Sequence, residues 1–292
     1  MLSETWTILK LLRWTTAYFK SHGIEQSRVD AEVLLAHTVG VSRLDLYVQY
    51  DRPLENKELE AFRGLIQRRV RREPAAYIVG KKEFWSMELQ VSPVVLIPRP
   101  ETETLVEEAV KVIPPEPAPV PWRILDLGTG SGAIILALAS ERPGNLFYGI
   151  EQSDRALDVA RANGRTHQLE EKIIWLKGDW FDVEADGFGP FDMIVSNPPY
   201  ISSAEFDRLP PEITAYEPTE ALKAGADGLN AIRLIVRDAS SHMVSGGWLF
   251  LEMGHNQWPR VREMIGSCGD YSEWGVVKDY SGFDRVAFAK AK

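Results

Sequence analysis

The chain has 292 residues, 45% hydrophobic and 26% charged, with a net charge of −9 and a pI of about 5.2. That composition is ordinary for a globular protein of one large domain or two smaller ones, and its acidity argues against a broad basic grip on nucleic acid. No apolar run approaches a membrane span, "MLSETWTILKLLRW" lacks a signal-peptide pattern, and the single Cys268 excludes an internal disulfide or a cysteine metal site, all of which suits a reducing cytoplasm.

Charge is uneven along the chain. Residues 1–72 carry 12 Lys/Arg against 9 Asp/Glu, and the remainder carries 21 against 33. The first 72 residues read as a small helical bundle. Ile8, Leu11, Leu12, Thr15, Tyr18 and Phe19 recur at helical spacing before Gly23. Ser27 is expected to cap a second helix bearing Val29, Val33, Leu34 and Ala36, closed by Gly40. Ser42 is expected to cap a short third, and Glu55 to Arg72 forms a fourth with Leu59, Phe62, Leu65 and Ile66 on one face. Its arginines Arg68, Arg69, Arg71 and Arg72 form either a solvated face or a surface for an acidic partner.

Residues 77–97 alternate and are rich in aromatic and β-branched residues, which predicts a strand pair. "PRPETETLVEEAVKVI" opens a helix on Pro and acids, and "PPEPAPVP" at 114–121 is a stiff loop. From Trp122, strands (124–127, 147–150, 173–176, 193–195, 248–252) alternate with helices (132–140, 154–166, 229–244, 258–265). This predicts an α/β fold with a Rossmann-like, doubly wound parallel sheet. The tail "SEWGVVKDYSGFDRVAFAK" is two strands with no helix between them, so the sheet ends antiparallel.

"ILDLGTGSGAI" is a strand, a glycine turn and a helix start. Gly128, Gly130 and Gly132 allow a sharp turn and close backbone approach to a ligand at a helix N-terminus. Gly128, Gly130 and Ala133 also satisfy the dinucleotide fingerprint, with Glu151 at the end of the next strand. Asp126 separates the two readings. A fixed negative charge before the loop would repel a pyrophosphate but suits the ammonium of S-adenosylmethionine, with Glu151 on its ribose. Asp179 and Trp180, after the third strand, suit an adenine amino group and ring face.

The fourth strand ends in Asn197-Pro198-Pro199-Tyr200. Prolines stop a strand and fix a turn without a backbone donor. An amide or aromatic amine is a poor nucleophile because its lone pair is delocalised. The Asn197 oxygen and the Pro198 carbonyl can accept its hydrogens and orient it, while Tyr200 offers a flat ring. The histidines His22, His37, His167, His242 and His255 show no metal spacing and are expected to be structural; no metal is expected.

The chain resembles the release-factor glutamine methyltransferases, the HemK/PrmC family. The resemblance rests on "REPAAYIVGKKEFWSMELQVSPVVLIPRPETE", "ILDLGTGSGAI", "GDWF", "IVSNPPYI", "YEPTEALKAGADGL", "GGWLFLEMG" and "GFDRVAFA". It implies methyl transfer from S-adenosyl-L-methionine, leaving S-adenosyl-L-homocysteine, to the side-chain amide nitrogen of a Gly-Gly-Gln glutamine in class-1 peptide chain release factors. No membrane or nucleic-acid substrate is implied.

The implied catalytic residues are Asn197, Pro198 and Tyr200. The cofactor would meet Asp126, Gly128, Thr129, Gly130, Ser131, Gly132, Glu151, Asp179, Trp180 and Asn197, and the acceptor glutamine would meet Asn197 to Tyr200 with Pro199 between them. Glu151 stands where many members carry Asp. Residues Val94 to Pro98 resemble a lip over the acceptor pocket. The implied domains are a helical docking domain (1–72), a β-hairpin linker (73–98) and the catalytic domain (99–292). The alternatives are a DNA or RNA adenine or cytosine amino-methyltransferase, a non-catalytic cofactor-binding module, and a nicotinamide oxidoreductase, which leaves the Asn-Pro-Pro-Tyr motif unexplained.

Overall fold

The computed structural model describes residues 5–115, 120–183 and 188–292, so residues 1–4 and the middle of the proline-rich 114–121 run lie outside it. The chain forms two compact units, Met1–Lys81 with Pro210–Tyr216, and Lys82–Leu209 with Glu217–Lys292. No described helix is long and apolar enough to cross a membrane.

The first unit is helical, with helices Ile8–Ser21, Ser27–Val39, Asp45–Val48, Asn56–Val70 and Ala75–Val79, and a single turn Pro211–Thr214. Ile8, Leu12, Phe19, Leu34, Leu35 and Phe62 fill its core. Two sequence expectations change here. Ser27 is the first helical residue, not the cap: Gln26 takes the cap position and the Ser27 hydroxyl donates to the Ile24 carbonyl. Val29 is 40% exposed, and the stripe that faces inward is Ala31, Leu34 and Leu35.

Within the arginine run, Arg68 and Arg71 are exposed and Arg69 alone is buried. Phe62, Ile66 and Arg69 lie on one buried stripe of their helix, so Arg69 occupies a core position. Its guanidinium meets Asp30 at 2.7 Å and Glu212 at 3.0 Å. Arg68 pairs with Glu73 at 2.5 Å and Arg72 with Glu212 at 3.3 Å. Burial still raises the Asp30 carboxyl above its ordinary range, despite Arg69.

Among the described residues the chain contains a hairpin and a seven-stranded sheet. The hairpin is β1 (Lys81–Phe84) and β2 (Met87–Gln90). It is shorter than the strand pair expected over 77–97, because Ala75–Val79 forms a helical turn closed by Gly80 and the chain leaves the extended ladder after Gln90. Trp85 and Ser86 make the two-residue turn with φ of 50° and 57°, the left-handed conformation that a tight hairpin requires. Phe84, Met87 and Leu89 enter the main core beside Leu105, Ile135 and Phe147.

The sheet strands are β3 (Arg123–Leu127), β4 (Leu146–Glu151), β5 (Ile173–Lys177), β6 (Phe191–Ser196), β7 (Met243–Glu252), β8 (Tyr271–Lys278) and β9 (Asp284–Ala291). Their order is β5-β4-β3-β6-β7-β9-β8. The first five are parallel, and β9 pairs antiparallel with both β7 and β8. Ile124 to Leu127 are buried without alternation, as helices on both faces require. The helix expected over 229–244 ends at Asp238, followed by a 3-10 turn at Ala239–His242, and β7 begins at Met243.

Connections run outward from β3 to β4 and β5, then return to β6 on the other side of β3. The carboxyl ends of β3 and β6 therefore flank a topological switch point, where the two following loops diverge and leave a crevice. Leu127 pairs with Ser196 across it, and the buried Ser196 hydroxyl donates to the Leu127 carbonyl at 2.7 Å. Gly128 and Asn197 are thereby set side by side.

Candidate active site

The crevice holds a cavity of roughly 400 Å³ within the second unit, in the range of small-molecule sites. On one rim, the chain leaves β3 through Gly128 and Gly130, with φ of 73° and 56°. Two carboxylates hold this loop. Glu151, at the end of neighbouring β4, accepts from Gly130 N at 2.9 Å and from Ser153 N at 3.0 Å. Asp126 accepts from the Thr129 hydroxyl at 2.6 Å beneath the loop. The buried Asn163 side chain donates to the Ser131 carbonyl at 2.9 Å and accepts from Gln90 N at 2.7 Å, which ties the loop to the hairpin.

On the other rim, Asn197 Nδ2 donates to Thr102 Oγ1 at 3.2 Å, and the Tyr200 hydroxyl donates to Glu252 Oε1 at 3.2 Å. Glu252 ends β7 and is fully buried. Burial raises its carboxyl above the ordinary range, against the Thr102 and Tyr200 hydroxyls and the charge of Arg285. Gln257 Nε2 donates to the carbonyls of Tyr200 (2.9 Å) and Gly228 (3.1 Å). A Cβ on Gly228 would stand 2.4 Å from the Tyr200 carbonyl oxygen, so only glycine lets that chain pass.

The cavity wall includes Gly128, Thr129, Gly130 and Ser131, then Glu151, Asp179, Trp180, Asn197 and Pro199. Val94, Val95, Leu96 and Pro98, the expected lip, also line it. Four expected site residues do not. Asp126 is fully buried behind the loop and burial pushes its carboxyl up to about 7, so it supports Thr129 rather than facing a ligand's ammonium directly. Gly132 serves packing: its φ is 83°, and a Cβ there would crowd Leu136 and Ala160 at 3.1 and 3.3 Å. Pro198 is buried in the turn. Tyr200 packs against the core beside β7 with its hydroxyl turned inward to Glu252, also raised by burial.

Residues without an assigned role in the sequence reading also build the site. Thr102, Pro218 and Ala221 line the cavity. Buried Glu217 accepts from Arg99 at 2.5 Å and from Ile97 N at 3.3 Å, bracing the lip. Each lies in a stretch that carried the family resemblance, which was the available signal. No His/Cys/Asp/Glu cluster fit for a metal occurs among the described residues.

The wall suits S-adenosylmethionine. Open backbone at Gly128 and Gly130 admits close approach, Glu151 supplies an acceptor for hydroxyls, and the Trp180 ring lies over the loop, 3.9 Å from where a Gly128 Cβ would be. The fold with these two rims defines a Rossmann-like, S-adenosylmethionine-dependent methyltransferase. Solved structures with this fold include a Pyrococcus furiosus methyltransferase (TM-score 0.51, 18% identity, 70% of this chain and 89% of that one). Another is a Thermus thermophilus 16S rRNA methyltransferase, RsmC, in complex with AdoMet and guanosine (TM-score 0.51, 21% identity, 73% of this chain and 50% of that one).

Residues 10–80 match the PrmC N-terminal domain and residues 110–212 the methyltransferase small domain. Release factor glutamine methyltransferases of Geobacter sulfurreducens and Rhodopirellula baltica are 42% and 39% identical to it. The alignments cover 97% and 96% of this chain, and 96% and 95% of those proteins. The chain belongs to the release factor glutamine methyltransferase family.

Proposed function

We propose that this protein methylates the side-chain amide nitrogen of the Gly-Gly-Gln glutamine in class-1 peptide chain release factors, in the cytoplasm where translation terminates. The observation that carries the reading is the placement of Asn197 and the glycine loop on adjacent strand ends, lining one cavity. S-adenosylmethionine, when bound, supplies an electrophilic methyl group. Gly128 to Ser131, Glu151, Asp179 and Trp180 would hold it.

The remaining chemistry belongs to the chain. The acceptor amide enters past the lip at Val94 to Pro98. Asn197 Oδ1 and the Pro198 carbonyl accept its two hydrogens, which orients the NH2 group and raises electron density on nitrogen. Holding the nitrogen in line supplies much of the rate. Methylation makes that nitrogen strongly acidic, so water suffices as the final base. The helical unit serves docking of the protein substrate.

The test is to incubate the full chain with labelled S-adenosylmethionine and a class-1 release factor, DNA or ribosomal RNA. Label on the release-factor glutamine is expected. Label on nucleic acid with none on the release factor would favour the rival amino-methyltransferase reading.

A further inference from the structure

The lip over the cavity, Val94 to Pro98, belongs to a run between Gln90, the last residue of β2, and Arg99. That run lies outside regular secondary structure. A wall without a ladder of its own keeps its shape only if its ends are held. Each end meets a buried side chain from elsewhere in the second unit.

At the entry stands Asn163, fully buried on the helix Asp154–Thr166. Its Oδ1 accepts from Gln90 N at 2.7 Å and its Nδ2 donates to the Gln90 carbonyl at 3.1 Å, as a neighbouring strand would. Nδ2 also donates to the Ser131 carbonyl in the glycine loop, at 2.9 Å. Turned over, the amide would set oxygen against two carbonyls and NH2 against an N–H, so its orientation is fixed. No other side chain of that length supplies two donors and an acceptor.

At the exit, buried Glu217 accepts from Ile97 N at 3.3 Å and pairs with Arg99 at 2.5 Å. It leads directly into Pro218, Glu220 and Ala221, which line the same cavity. The hairpin has other ties. Trp85 donates its backbone N–H to Glu103 at 2.9 Å and its indole N–H to Glu141 at 2.8 Å, and His167 Nε2 donates to the Glu88 carbonyl at 2.9 Å. What Asn163 adds is the link between the lip and the glycine loop.

We propose that Asn163 and Glu217 are positioning residues that clamp the acceptor lip at its two ends: Asn163 binds it to the cofactor loop, and Glu217 binds it to the wall at 218–221. The clamps differ in what they join. Through Asn163 the lip and the cofactor site share one buried amide, so a change there is felt by both ligands. Glu217 joins the lip to a segment outside the glycine loop, so a change there is felt by the acceptor alone. The inference rests on the function proposed above and deepens it.

The test uses the full chain with Asn163→Asp and Glu217→Gln. S-adenosylmethionine affinity is measured by calorimetry without acceptor, then kcat and the KM for release factor at saturating cofactor. Aspartate has the shape of asparagine but at most one donor for two carbonyls. Glutamine keeps an oxygen for Ile97 N and loses the ion pair. Asn163→Asp should weaken cofactor binding roughly tenfold and raise the KM for release factor roughly tenfold. Glu217→Gln should raise that KM about fivefold, with cofactor affinity within about twofold and kcat within about threefold of wild type. Simple loss of folded protein would lower the active fraction and leave both constants unchanged.

Cofactor affinity weakened equally in both variants, unchanged cofactor affinity in Asn163→Asp, or a wild-type KM in either variant would overturn the clamps. If Asn163→Asp does not fold, Asn163→Ala is judged by the same outcomes. A wild type that labels nucleic acid instead of release factor would sink the proposed function alone. The cofactor affinities need no acceptor, and the KM ratios can be taken on whichever acceptor the wild type labels.

Discussion

The two rims of the cavity are built by opposite means. The glycine rim presents backbone, and its supports lie close at hand: Glu151 ends the adjacent strand and Asp126 precedes the loop by two residues. The Asn-Pro-Pro-Tyr rim presents a side chain, and its supports come from afar, with Thr102 about a hundred residues before and Glu252 about fifty after. A backbone cradle needs only residues small enough to bend. A side-chain acceptor needs partners that dictate which way it faces, and those partners must themselves be held in place by burial.

Four measurements probe that contrast, in order of expected size. The first concerns the charge stored under the glycine rim. An unfolded aspartate titrates near 3.9, whereas Asp126 is raised to about 7. Between those values the native state keeps a proton that the unfolded state has lost, so this group's contribution to stability declines as pH rises from about 4 to about 7. Asp126→Asn should remove a decline on the order of 4 kcal/mol, seen in urea midpoints at pH 4 and pH 8. Identical pH slopes for the two proteins would show that the carboxyl is not held proton-bound by burial.

The second strikes the opposite rim. Asn197→Ala should cost roughly a hundredfold in turnover, about 2.7 kcal/mol, while cofactor binding and folding persist. Wild-type turnover on a release factor would mean that the motif only ends a strand. Third, Gly228→Ala forces a Cβ against the Tyr200 carbonyl at positive φ. A loss of about 2 kcal/mol in unfolding free energy is expected; a neutral result would show that the turn yields. Fourth, Glu151→Ala frees Gly130 N and removes an acceptor from the wall. Calorimetry should find S-adenosylmethionine bound roughly tenfold more weakly. Unchanged affinity would remove Glu151 from the cofactor site.

The same contrast decides what could be read from sequence. The alternation of strands and helices, the glycine turn and the proline-stopped strand are local signals, and the sheet places them at one switch point. The antiparallel tail was legible because no helical segment separates its strands. Asp126 was legible as a charge near the loop but not as a residue behind it, since one residue's position along a strand decides which face it takes. Thr102, Asn163 and Glu252 had no local pattern at all, because their roles exist only once distant segments meet. Arg69 misled for the related reason that charge suggests solvent. Its spacing from Phe62 and Ile66 pointed inward, and the periodicity was the better guide.

Arg69 has a consequence for how the protein is made. Its partners are Asp30, synthesised earlier, and Glu212, synthesised about 140 residues later, and the Tyr216 hydroxyl closes on the Arg71 carbonyl at 2.8 Å. During translation the helical unit emerges first but lacks the piece that completes its ion cluster, and a buried charge with a missing partner is strongly destabilising. The unit is finished only after residue 216 has left the ribosome, by which time the glycine loop and Asn197 have already been made. A nascent chain stalled before that point would carry helices with an open charged seam, available to protease or chaperone until the late segment arrives.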